Sequence, residues 1–249
     1  MDQIGATAAS GLRSRMQALD MLANNLANST TGGFKMDREF YGLFSTDDDP
    51  SIEGEPSQTK LPVIQKQWTD FSQGTLQPTG SPLDFGLSGK GFFSVTGPAG
   101  TPLYTRNGGF KLSPSGILST SEGYTVNAAG GGTIQTKSQS PITVSADGTV
   151  EQDGQKLGQL GVVDFEDRSV LDKLGNNYFA NSNSKAEPTA VTDTVVQQGR
   201  IEASNVAPAE SAVRLVGLMR QFEMLQKAIG VTADMDKKAL DEVARVGAG

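Results

Sequence analysis

Three observations in this sequence predict an α+β fold. Its N- and C-terminal helices would pair as a coiled-coil-like domain around a central, mostly antiparallel β domain. Residues from about 4 to 26 carry apolar side chains at helical spacing, residues from about 206 to 243 do the same, and the stretch between them is rich in glycine and turns. A single pair of helices is too thin to bury its whole apolar seam, so the remaining surface should meet another copy or another protein.

The N-terminal helix is predicted from Ala8, Leu12, Met16, Leu19, Ala23 and Leu26, which recur at steps of four, four, three, four and three. Leu22 widens this stripe. Arg13, Arg15, Gln17, Asp20 and Asn24 lie off it. The helix should stop near Asn28, where Ser29-Thr30-Thr31-Gly32-Gly33 follows and Gly32 or Gly33 can take the left-handed geometry of a turn. Phe34, Phe40, Tyr41, Leu43 and Phe44 form an aromatic extension that completes a first segment, 1–44. A linker over 45–60 carries Asp47-Asp48-Asp49-Pro50 and Glu53-Gly54-Glu55-Pro56, an acidic loop by composition.

The period then shortens over 61–203, the expected β-rich domain. Strand candidates are 62–68, 92–96, 109–112, 133–135, 142–144, 149–152 and 160–165. Asp147-Gly148 and Asp153-Gly154 supply hairpin turns. Residues 169–174 read as a short helical turn and 176–186 as polar loop. The last segment, 204–249, opens with Ser204-Asn205, either of which can cap a helix, and Pro208 in the first turn. Leu215, Leu218, Phe222, Leu225 and Ile229 step by three, four, three and four. Gly230 weakens this helix by about 1 kcal/mol relative to alanine.

Composition removes several classes of function. The chain has no cysteine and no histidine, which excludes disulfides, thiolate chemistry and every histidine-dependent triad. Net charge is -7. Residues 1–44 hold four basic and four acidic side chains and residues 204–249 hold six of each, so the whole deficit lies in the middle, 11 basic against 18 acidic. Balanced helical ends and an acidic middle do not make a nucleic-acid-binding face. No apolar run is long enough to span a membrane. The first residues lack the basic-then-apolar pattern of a signal peptide. Gly89-Lys90-Gly91 lacks the rest of a phosphate loop and reads as a turn. The aspartates at 47–49 lack metal-ligand spacing. Tyr104 and Arg106 read as hairpin packing with no catalytic partner in sight.

Several blocks are more specific. Ala23-Asn24-Asn25-Leu26-Ala27-Asn28 followed by Thr31-Gly32-Gly33-Phe34-Lys35 resembles the N-terminal signature of bacterial flagellar basal-body rod and hook proteins. The family usually has one glycine before Phe-Lys, and Gly33 supplies it. Gly74-Thr75-Leu76, Pro82-Leu83-Asp84, Gly89-Lys90-Gly91-Phe92-Phe93 and Tyr104-Thr105-Arg106-Asn107-Gly108-Gly109-Phe110 resemble the central blocks. Glu202, Ser204-Asn205-Val206 and Arg220-Gln221-Phe222-Glu223 resemble the C-terminal ones. The last of these is similar to proximal-rod members, with the distal-rod type as runner-up. The resemblance implies terminal helices that pair around an axial channel with the β domain outside. It implies copies joined into a helical tube, other rod proteins above and below, and passage through the flagellar export apparatus to the periplasmic basal body without a cleaved signal.

The expected assembly residues follow from both readings. The seams supply Leu12, Met16, Leu19, Ala23, Leu26, Leu215, Leu218, Phe222, Leu225 and Ile229. Asn24, Asn25 and Asn28 either end the first helix or bond a neighbouring subunit's backbone. Arg220 and Glu223, at i and i+3, make a surface pair or a link to an adjacent helix. Phe34 and Asn205 complete the set. No catalytic residue, cofactor, metal or small-molecule substrate is expected. A wall-cleaving enzyme is the alternative class, but it needs two carboxylates facing one cleft, and the acidic residues here are scattered through turns.

Overall fold

A computed structural model describes residues 2–44, 61–138, 140–175, 177–191 and 193–246. The acidic loop expected over 45–60 lies outside these residues. The chain divides into two compact units. Unit 1 takes Met1–Ala27, Asp37–Thr69 and Ala207–Gly249; unit 2 takes Asn28–Met36 and Asp70–Val206. The connector 28–36 therefore belongs with the β-rich unit, and 61–69 with the helices.

Unit 1 holds two helices, α1 (Asp2–Ala27) and α2 (Pro208–Val246), and a two-stranded antiparallel ribbon, Asp37–Phe44 with Leu61–Thr69. Within the unit, α1 touches α2 and the ribbon. The first helix ends where Asn28 and the glycine-rich turn were expected to end it. The second runs unbroken through Gly230. It starts with Pro208, which has no N–H to leave unpaired, and Ser211 N donates to Ala207 O at 3.0 Å. Neither Ser204 nor Asn205 caps it, because Asn205 is used inside unit 2. Asp37–Phe44, expected as an aromatic extension, is a strand.

The buried face of α1 is rotated from the predicted stripe. Ser14, Ala18, Leu22 and Asn25 are buried, whereas Met16 is 59% exposed and Ala23 and Asn24 are exposed. Small residues at 14 and 18 allow the close approach that the larger apolar side chains would block. On α2 the predicted stripe is the half-buried one: Leu215, Leu218, Phe222, Leu225 and Ile229 are all partly covered.

In unit 2 every described strand pairing is antiparallel. One sheet joins nine described strands around Phe92–Thr96 and Pro102–Thr105. Ile142–Val144, Thr149–Gln152 and Gln155–Gln159 make a three-stranded meander. Two short pairs, Phe85–Ser88 with Val195–Gln198 and Leu76–Pro78 with Arg200–Glu202, bring the late part of the chain back beside the early part. Two expectations change here. Arg168–Val170 is a single 3-10 turn that leads into a strand, Leu171–Lys173, and part of the expected polar loop is a strand, Tyr178–Asn181. Tyr178 and Phe179 are buried, and that burial outweighs the polar composition around them.

Alternation along Phe92–Thr96 sets two cores. Phe93 and Val95 face a large cluster with Phe85, Leu87, Phe110, Leu118, Val126 and Val150. Phe92 faces a smaller one with Tyr104, Phe165, Leu171 and Phe179, and Phe71 packs edge-on against Phe92 and Phe179 at 5.4 and 5.2 Å. Phe93 is fully buried and meets Phe110 at 5.2 Å. Replacing it with alanine should cost unit 2 about 3–5 kcal/mol. Urea unfolding followed by the near-UV signal of Tyr104, Tyr124 and Tyr178 measures this.

Candidate functional site

The most constrained part of the molecule is a charged cluster with no access to water. Lys35 and Glu202 are 0% exposed and Arg106 is 1% exposed. Lys35 Nζ donates to Glu202 Oε1 at 2.5 Å and to Ser72 O at 2.7 Å. Arg106 Nη1 donates to Glu202 Oε2 at 3.1 Å and Nη2 to Gly89 O at 2.8 Å. Gly74 N donates to Glu202 Oε1 at 2.8 Å. One carboxylate thus answers two cations and a backbone amide, and carbonyl oxygens take further donors. Buried charges persist only with this kind of pairing.

Local sequence explains how each group reaches the cluster. Lys35 follows the turn that ends at Gly33, whose φ is +71°. A Cβ at Gly33 would stand 2.3 Å from Asn107 N, so the turn can press on the Arg106–Asn107 backbone only without a side chain. Gly74 does the same against Ala203 O, where a Cβ would stand at 2.0 Å. Arg106 follows strand Pro102–Thr105, and its guanidinium lies 5.4 Å from the Phe92 ring centroid. Glu202 ends strand Arg200–Glu202, and its own carbonyl accepts Gly33 N at 2.7 Å.

Asn205 extends the cluster. Its Oδ1 accepts Met36 N at 2.7 Å, and its Nδ2 donates to Asp70 O at 2.7 Å and to Ser72 Oγ at 3.1 Å. Asp70 N donates to Met36 O at 2.8 Å. The chain passes between the units at four places, after Ala27, Met36, Thr69 and Val206. Segments 28–36, 70–74 and 202–206, which carry all four passages, are therefore bonded to one another inside unit 2.

Charge and burial act against each other here. Burial pushes the Lys35 ammonium below its ordinary pKa, opposed by the charge and hydrogen bond of Glu202. Burial acts on Arg106 in the same direction, again opposed by Glu202. On the Phe92 side, Arg168 grips Asp164 through Nε at 2.9 Å and Nη2 at 2.7 Å. Burial raises the Asp164 carboxyl, but the Arg168 bonds, the Phe165 amide and the nearby guanidinium charges outweigh it and hold the pKa below the ordinary value.

The predicted assembly residues separate into two groups. Asn25, Phe34 and Asn205 are satisfied within the chain. Asn25 exchanges two bonds with the backbone of Asp37, Nδ2 to O at 2.8 Å and N to Oδ1 at 2.9 Å. Phe34 is buried, with Lys173 Nζ 4.0 Å from its ring centroid. Asn28 Oδ1 accepts Thr31 Oγ1 at 3.2 Å, within the turn that ends the helix. The other group stays on or near the surface. Leu12, Leu19 and Leu26 are partly covered, and Arg220 and Glu223 are exposed. In the first turns of α2, Arg214 pairs with Glu210 at 2.9 Å. Lys35, Arg106 and Glu202 lie in separate sequence motifs, and Arg106, expected as hairpin packing, pairs with Glu202. Among the described residues no group of acidic side chains is arranged to hold a metal, and no helix is long and apolar enough to cross a membrane.

Two outcomes check this geometry. Asn205→Ala should destabilise unit 2 by about 1–3 kcal/mol, and Asn205→Asp should not recover that loss, since it keeps the acceptor for Met36 N but sets a carboxylate oxygen against the Asp70 carbonyl oxygen in place of the Nδ2 donor; urea midpoints compare them. Because the Asp164 pKa is depressed by folding, its contribution is present above the ordinary carboxylate value and lost as pH falls through the folded one. Arg168→Met should therefore flatten the fall of the urea midpoint below pH ~4, as read by a pH series on both chains.

Comparison with known proteins places these residues in a family. The Flagella basal body rod protein family matches residues 6–35. The Flagellar hook protein FlgE/F/G D1 domain matches 86–152, and the Flagellar basal body rod FlgEFG protein C-terminal family matches 197–242. Lys35, Arg106 and Glu202 each come from a different one of these three segments. A flagellar basal-body rod protein FlgF of Caulobacter vibrioides is 34% identical over 92% of both chains. FlgF of Mesorhizobium japonicum is 31% identical over 89% of this chain and 90% of its own. A flagellar basal-body rod protein FlgG of Buchnera aphidicola is 30% identical over 92% of this chain and 95% of its own. The chain belongs to the flagellar basal-body rod protein family.

Proposed function

We propose that this chain is a structural subunit of the flagellar basal-body rod, of the FlgF type, and that it works by packing rather than by chemistry. The observation that carries the assembly mechanism is the apolar surface of α2. The stripe Leu215, Leu218, Phe222, Leu225 and Ile229 is only half covered. On other faces Val213, Met224, Val231 and Met235 are 59–74% exposed. A helix that is apolar on more than one side calls for more neighbours than its own chain supplies.

In this reading copies of the chain join head to tail through the terminal helices into a helical tube. The helices pair as a coiled-coil-like domain toward the axis, other rod proteins continue the shaft above and below, and the tube transmits torque. Each large apolar side chain fully buried in such a contact contributes roughly 1.5–3 kcal/mol. Leu12, Met16, Leu19, Ala23, Leu26, Asn24, Arg220 and Glu223 lie with this surface as contact residues. The chain reaches the periplasm through the flagellar export apparatus. A distal-rod, FlgG-type position is the second reading, favoured by the similarity to FlgG over almost the whole chain. Wall cleavage has no support from the relatives, which are named as rod proteins.

The test is a full-length chain carrying Leu218→Asp and Phe222→Asp. It should be missing from purified basal bodies and abolish motility, while the near-UV signal of unit 2 stays that of the parent chain. Incorporation at the parental level would contradict the proposal.

A further inference from the structure

Unit 2 closes its charge balance across almost its whole sequence. Lys35 and Glu202 are 167 positions apart, and Arg106 and Glu202 are 96 apart. Other charged groups facing the cluster do not replace Glu202. Asp70 adds a weaker attraction to Lys35, and its carboxylate already accepts Ser72 N. Asp164 is gripped by Arg168, which repels Arg106.

We infer that Glu202 is a closing latch, the group whose arrival allows Lys35 and Arg106 to be buried, so that unit 2 folds only in a chain completed through about residue 205. Without it, two cations converge on one vacant spot in an interior that tolerates neither alone. They have no way out to water while the unit is closed. Arg106 directly follows a strand paired on both sides, to Phe92–Thr96 and to Tyr178–Asn181. The turn before Lys35 is pressed against the backbone of Arg106 and Asn107. Both apolar cores of unit 2 lie wholly within residues 71–196. The residues of both clusters are thus present before the latch has been synthesised, with Val206 the buried apolar side chain that follows it, and the missing carboxylate is what keeps the unit open.

The test compares full-length chains by pulse proteolysis, which reads the open fraction of unit 2. Glu202→Gln should raise that fraction on the order of 100-fold or more. Lys35→Met leaves one cation for one carboxylate and should raise it far less. Ribosome-arrested chains supply the second measurement: protection should be absent with residues through 201 outside the ribosome and present with residues through 206 outside. Equal effects of the two substitutions, or protection at the shorter length, would overturn the latch.

Discussion

The carboxylate of Glu202 is the interaction on which unit 2 depends. It lies where three stretches of chain meet, and each stretch brings a group that is costly to bury alone: an ammonium, a guanidinium and a backbone amide. A hydrophobic contact at the same place would hold by area alone and would tolerate sliding. A charge shared by two cations fixes position, because any displacement leaves a buried ion without its partner. Asn205 repeats the logic with neutral groups, joining Met36 to Asp70 and Ser72 through a single amide.

That rigidity bears on function through connectivity. The four places where the chain leaves unit 2 are held by this bonded set. In the proposed rod subunit fixed passages would matter, since a loose connector would absorb rotation instead of passing it on. Unit 1 is built to the opposite requirement. Its helices carry apolar side chains beyond those their own unit covers, and Met16, Val213 and Met224 stay exposed. Unit 2 pairs its buried charges with one another, while unit 1 leaves large apolar side chains exposed.

The sequence showed the helices best. Apolar spacing placed both, and the glycine-rich turn after Asn28 ended the first where the structure ends it, because periodicity and turn chemistry are local signals. The buried face of α1 was harder to read. Ala18 and Ser14 carry little hydrophobic weight, yet small size is what close packing needs. Short strands such as Leu118–Ser119 and Thr125–Val126 are two residues long and leave no period to read. The charged cluster escaped for a related reason. Lys35, Arg106 and Glu202 sit in separate motifs, and nothing local in any one of them states that the three meet. Their partnership is a product of topology, set by the return of Arg200–Glu202 beside Leu76–Pro78.

The measurement that bears most directly on this account is amide hydrogen exchange at Gly33, Met36 and Gly74, whose N–H groups donate to Glu202 O, Asn205 Oδ1 and Glu202 Oε1. If the cluster is the keystone of unit 2, these amides open only with the whole unit. They then share one exchange free energy with core amides such as Ser94, which donates to Gly161 O. Fast exchange at Gly33, Met36 and Gly74 while Ser94 remains protected would show that the connectors loosen on their own, and would contradict the central role given to Glu202.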